Sequence, residues 1–373
     1  MNKQNRPWYR SRYRSGYSVF IFLPALAFAQ QAPTPQSTVP QPPALAPRSV
    51  SPPASASAEG RIHLDVVVTD RSGKPASGLA LQDFTLKDNN QPAKILSFRA
   101  IDPAARPGSH PAEVILLIDG VNEGFQIAAR ARQDISRFLR ENGGHLAQPV
   151  SIFVLNSDGV KVLLQPSMDG NALATELDQS DSKLRVIGRS AGINGAFERY
   201  DLSIRTMGLI AKNEVKRPGR KLLIWAGPGW PLLDRPGIEI STQAQQQMFH
   251  EVVDLSTTLR EAQMTLYSVS LGEPELGTYL YEGYLKGVKT ADRVNPANLA
   301  LKVLAIQTGG RVVPPDNDLT GQIDICVQDA GAFYTISFDP PPSDKPNEYH
   351  DLKVEIDKPG LTARTDTGYY NQP

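Results

Sequence analysis

Five consecutive apolar residues at 114–118, Val-Ile-Leu-Leu-Ile, run directly into Asp119 and Gly120, and helical spacing follows over 125–139. So short a run, partly β-branched and without polar alternation, predicts a strand covered on both faces, as an inner strand of a parallel α/β sheet must be. Asp119 then stands at the strand's carboxyl end. Open α/β sheets bind their ligands in the crevice beyond those ends, which makes this carboxylate the first functional candidate. Capping of the loop or of the next helix is the other reading of its position.

The pattern after Asp119 keeps alternating. Residues 150–155 and 160–164 flank Ser157-Asp158-Gly159 and predict an antiparallel hairpin at the sheet edge. Helices are expected over 171–177, 197–211, 243–263, 298–306 and 319–327, and buried strands over 222–225 and 266–269. Gly309-Gly310 closes one helix and leads into a strand at 311–313.

The two ends of the folded part read differently. Ile62, Leu64, Val66 and Val68 alternate with other residues, and further strands are expected at 84–86 and 95–101, around the turn Asp88-Asn89-Asn90-Gln91. Short strands recur at 334–338, 352–356 and 361–365. Three strands are too few to stand alone, so the block at 60–103 and the block at 332–370 are expected to pair into one β-sandwich, with an α/β domain at 110–331 inserted between them.

Ahead of this lie two segments of other character. Arg6, Arg10, Arg12 and Arg14 precede an apolar run at 19–28 ending in Ala27-Phe28-Ala29. A basic start, an apolar stretch too short to span a bilayer and a small-x-small ending predict a signal peptide at 1–29, and hence export to the periplasm or cell exterior with no transmembrane segment left after cleavage. An uncleaved anchor is the alternative, against which Pro24 interrupts the run. Residues 30–59, rich in Pro, Ala and Ser, cannot bury enough apolar surface to fold and are expected to be an extended disordered linker, or alternatively a Pro-rich docking ligand.

Charge and cysteine content narrow the function classes. Lys+Arg and Asp+Glu stand at 39 each, and without 1–29 the balance is 34 to 39, so nothing argues for nucleic acid. The single cysteine, Cys326, excludes an intramolecular disulfide and reads as a small buried hydrophobe. No Gly-x-Ser-x-Gly elbow, phosphate-binding loop or His-Glu-x-x-His is present, and His63, His110, His145, His250 and His350 are scattered. The second Asp of an aspartyl phosphotransferase is replaced by Val121, which leaves a hydrolase using Asp119 as the least favoured class.

This order of elements resembles the von Willebrand factor type A domain. The segments IHLDVVVTDRSGKPASGLALQDFTL, ILSF, ILLID, GRKLLIW, ALKVLAIQTGGRVV and YTISFD resemble exported bacterial proteins called VWFA-related, and the likeness extends over 60–370. It implies a Rossmann-like α/β fold. In the family an Asp-x-Ser-x-Ser loop, a Thr and a further Asp hold a divalent cation that receives an acidic ligand. Here Asp119 matches the first Asp, but the serine positions hold Val121 and Glu123. The second loop matches Gly192-Ile193-Asn194-Gly195, with Ile193 for Thr, and the third Ala226-Gly227-Pro228.

The expectation is therefore a degenerate site with no metal and no other cofactor. Asp119 and Glu123, helped by Asn122, are the weak candidates for a rearranged Ca²⁺ or Mg²⁺ site, and otherwise Asp119 should bond to loop amides. The function expected is non-enzymatic, an adhesion-type module for a protein ligand, with Asp119, Asn122, Glu123, Asn194, Trp230 and Tyr279 around the binding rim. Tyrosine and tryptophan there offer wide amphipathic contact at low rotamer cost, although Tyr281 and Tyr284 read as one packed helix face. A structural envelope protein that self-associates is the alternative; the sequence leaves the oligomeric state open.

Overall fold

The computed structural model describes residues 60–102, 112–180, 192–233, 241–273 and 280–373. The expected signal peptide, the expected linker and Tyr279 lie outside the described residues.

Strand β5 (Ala112–Asp119) is inner, as its apolar run requires, and every residue but Glu113 is buried. It pairs in parallel with β6 (His145–Asn156) on one side and β8 (Arg220–Ala226) on the other. Beyond β8 come β9 (Met264–Val269) and the short β10 (Arg311–Val312), both parallel; beyond β6, β7 (Gly159–Asp169) closes the edge antiparallel. The six-stranded order is β10-β9-β8-β5-β6-β7, so the strand order reverses between β5 and β8. The crevice of such a sheet opens at that reversal, beyond Asp119 and Ala226.

Alternate residues of β5 face opposite layers. Val114, Leu116 and Ile118 pack with α1 (Phe125–Arg140), α2 (Gly170–Gln179) and α6 (Leu319–Val327) through Ile135, Leu139, Leu173 and Ile323. Ile115 and Leu117 pack with α3 (Gly192–Glu214), α4 (Thr242–Glu261) and α5 (Leu301–Gln307) through Met207, Ile210, Leu259 and Leu304. Each such Leu or Ile taken out of water contributes about 1.5–3 kcal/mol, so the two layers hold the sheet between them. Cys326 is fully buried in the first layer.

The chain ends interleave rather than form separate blocks. β1 (Ile62–Thr69), β4 (Ser97–Ile101), β11 (Phe333–Phe338) and β13 (Thr362–Arg364) make one four-stranded sheet, ordered β13-β1-β11-β4. β2 (Phe84–Asp88), β3 (Gln91–Ala93), β12 (Glu348–Ile356) and β14 (Gly368–Asn371) make another, ordered β14-β12-β2-β3. Leu64, Val66, Phe84, Leu86, Tyr334, Ile336, Leu352 and Tyr369 share one apolar cluster drawn from both sheets. Both sheets and the α/β core belong to one compact unit, Ala56–Pro373. Among the described residues no helix is long and apolar enough to cross a membrane.

Four local expectations need correction. The strands β3 and β14 are additional; Asn89 and Asn90, both with left-handed φ of 46° and 64°, turn β2 tightly into β3. The helix expected at 197–211 starts five residues earlier: Gly192, at φ 58°, turns the chain into it, so Gly192-Ile193-Asn194-Gly195 is a first helical turn, not a crevice loop. The helix expected at 298–306 is split at extended Ala300, because Asn295 and Asn298 cap a separate 3-10 turn at Pro296–Leu299. His350, among histidines expected mostly at the surface, is buried between Asp88, 2.7 Å from its Nδ1, and Tyr369.

Candidate functional site

Asp119 ends β5 where the chain must leave the sheet, and its side chain turns inward, with 1% of the residue exposed. Oδ1 accepts from the backbone N–H of Val121 at 3.0 Å and of Asn122 at 2.9 Å. Oδ2 accepts from Asn122 Nδ2 at 2.9 Å and from the indole Nε1 of Trp225 at 2.7 Å. Four N–H donors thus surround one carboxylate. Burial pushes the Asp119 pKa above the ordinary carboxylate value, and the bonds from Asn122, Trp225 and Val121 oppose that rise.

The walls come from three neighbouring elements. Trp225 lies in β8 opposite Leu117 of β5 and is fully buried. Ser203, fully buried in the middle of α3, accepts at Oγ from Asn122 Nδ2 at 3.0 Å. Gly227 follows β8 with φ 155°; a Cβ there would come within 2.6 Å of the Asp119 Cβ, so no larger residue fits against the carboxylate. Val121, two residues after Asp119, is fully buried in the apolar cluster of α3 and α4.

This surrounding does not fit a divalent cation. A hard cation needs several oxygen donors about its centre, whereas both Asp119 oxygens face N–H groups at hydrogen-bonding distance, and the nearby Val121 side chain offers no oxygen. Among the described residues no group of three or more His, Cys, Asp or Glu could hold a metal ion.

Of the expected rim residues, the structure brings Asp119 and Asn122 together and buries both. Glu123 points elsewhere: its Oε1 accepts from the Gly124 N–H at 2.9 Å, beside the start of α1. Asn194 is exposed in the first turn of α3. Trp230, expected as an exposed contact, is 4% exposed, donates from Nε1 to the Leu299 carbonyl at 2.9 Å and stacks edge-on with Trp225, centroids 5.2 Å apart. A buried indole needs an acceptor, and Leu299 supplies it at the cost of any surface role. Tyr281 is buried and Tyr284 half-buried, as a packed face requires.

The residues that sequence reasoning missed are Trp225 and Ser203. Trp225 reads as one more apolar position in GRKLLIW, although an indole N–H in a covered strand must find an acceptor within reach. Ser203 carries no such signal, since a lone serine inside a helical stretch does not show which partner it will face.

No family model matches the chain, and neither does any curated protein. Among solved structures, the SpRpn10 VWA domain is similar at 11% identity and a TM-score of 0.30, over 59% of this chain and 95% of that one. The human COPII-coat protein Sec24c is similar at 8% identity and 0.29, over 70% and 44%. The TFIIH p34 N-terminal domain is similar at 15% identity and 0.25, over 52% and 97%. At these values they carry no argument about activity. The mixed α/β architecture with its mostly parallel sheet stands on the strand order itself, which is consistent with a von Willebrand type A-like fold.

Proposed function

We propose that this chain is an exported, non-enzymatic protein-binding module of the von Willebrand type A kind, working without the family's cation, with the two terminal sheets forming a β-sandwich behind it. The observation that carries the reading is the filled pocket at Asp119: its four N–H donors supply what a cation would, and its burial leaves no open position for an acidic ligand or a substrate. Recognition then falls to side chains above the pocket. Phe125 begins α1 at 61% exposure, and Ile193 and Phe197 in the first two turns of α3 are 44% and 43% exposed. The opposite side is occupied, because Arg220 at the amino end of β8 packs over Phe333 of β11 at 4.7 Å. Large apolar side chains exposed at the start of two neighbouring helices offer an interaction surface. Export rests on the basic-then-apolar pattern of 1–29.

Envelope extract passed over immobilised wild-type chain and over a Phe125→Ser/Phe197→Ser variant, each with and without chelator, tests this. The same protein should be retained by the wild type in both buffers and lost from the variant. Retention that vanishes with chelator, or that survives in the variant, would refute the reading. Self-association is the second reading, favoured by β7, a sheet edge carrying Val162 at 47% exposure; Lys161 and Pro166 on that strand work against it. Sedimentation of the mature chain as a monomer at high concentration would exclude it.

A further inference from the structure

Where β1 and the connection between β13 and β14 meet the core, two carboxylates face one small cavity. Asp65, Asp366, His63, Arg260, Gln263, Met264 and Thr265 line a void of about 10 Å³. Asp366 also lines a second void, of about 20 Å³, with Thr308, Thr367 and Tyr349, which has room for a single water. Asp65 Oδ1, Thr365 Oγ1 and Thr367 Oγ1 are buried without a hydrogen-bond partner among the described residues. Polar atoms left so are costly unless a proton or a water serves them.

Of the cations around this seam, Arg260 lines the void itself, while Arg220 and Lys221 make their hydrogen bonds elsewhere. Arg220 donates to the Asp329 carbonyl and lies over the Phe333 ring, and Lys221 donates to the carbonyls of Glu214, Arg217 and Ala262. Asp366 is faced by Arg260 from α4, Arg220 from β8 and Asp65 from β1; Asp65 is faced by Arg220, Lys221 and the hydrogen-bonded Gln263 side chain; His63 is faced by Arg61 and Arg260. The same connection is stitched to the end of α5, with the Thr367 N–H donating to the Gln307 carbonyl at 2.9 Å and Arg364 to that of Gly309 at 2.9 Å.

We propose that this seam is a proton-operated latch: a proton held by the Asp65–Asp366 pair locks the β13–β14 connection onto α4 and α5, and its loss loosens that connection. Two like charges facing one narrow void repel each other, and the single guanidinium in its lining, Arg260, does not balance both, so one carboxyl staying neutral is the low-energy state. Burial raises Asp366 to about 7, with the Asp65 charge adding to the rise, and burial raises Asp65 to about 6. With folded values above the unfolded one near 3.8, the stabilisation is complete below that value and is lost as pH rises through 6 and 7.

Hydrogen exchange of the full chain, corrected for intrinsic rates between pH 5 and 8, reads the latch directly. Protection of the Thr367 amide and of the β14 amides should fall about tenfold or more across that range in the wild type. In Asp366→Asn, which mimics the neutral acid, the fall should shrink to the part below about pH 6 that Asp65 alone supplies, and His63→Gln should respond as the wild type does. Constant protection in the wild type, an unchanged response in Asp366→Asn, or a response abolished by His63→Gln would overturn the proposal. Should Asp366→Asn fail to fold, carboxyl-carbon titration of the wild type decides: two aspartates midway between pH 5 and 8 support the latch, and their absence sinks it.

Discussion

At the scale of single residues, the pocket of Asp119 turns on one indole. Replacing Trp225 by Phe keeps the ring in the β8 layer and removes only the donor to Asp119 Oδ2, so a loss of about 1.5–3 kcal/mol in urea denaturation is expected, the range for a hydrogen bond to a charged group. Addition of Mg²⁺ or Ca²⁺ to that variant should not restore the loss, since Val121 beside the carboxylate is apolar and supplies no oxygen donor. Cys326 makes a second residue-level test. Burial, with the Asp329 charge beside it, pushes its thiol well above the ordinary range. A thiol reagent should leave the native protein unmodified at pH 8 and react once it is unfolded. Asp119 was legible in the sequence because a carboxylate ending an apolar run is conspicuous. Its partners were not, because a strand pattern records that Trp225 is apolar and is silent on where its N–H points.

Among the elements, Asp329 fastens the most. It lies after α6, fully buried, with Arg311 of β10 and Arg364 of β13 on its two oxygens and the Tyr267 hydroxyl of β9 at 3.0 Å. Burial raises its pKa, but the two guanidinium groups outweigh that and hold it below the usual carboxylate range. Asp329→Ala strands two half-buried arginines together and should cost about 3–5 kcal/mol, measurable as a lowered denaturation midpoint with unchanged slope. The acid side shows the same group: its contribution is present above the unfolded value near 3.8 and is lost as pH falls below it. The element boundaries that sequence reading placed well, such as α6 at Leu319–Val327, are those with uninterrupted periodicity. The misplaced ones, α3 and α5, begin in Gly- and Asn-rich stretches, where tertiary partners and caps decide the start and local preference does not.

For the whole molecule, the meeting of the chain ends was legible because neither β block could bury its own alternating face. The register of that meeting was not, since sequence cannot say that β1 would lie between β13 and β11 while β2 lies beside β12. Deleting 332–373 should therefore unfold the amino-terminal strands as well, seen as loss of β signal beyond that of the deleted residues and as dye binding to the exposed faces of Leu64 and Leu86. The pairing also carries a consequence for synthesis. β1 waits for partners far downstream, Ile62 for Phe338 and Val67 for Arg364. Non-local pairing of this kind is slow to form, so the apolar face of β1 stays without its sheet neighbours until β11 and β13 have been made.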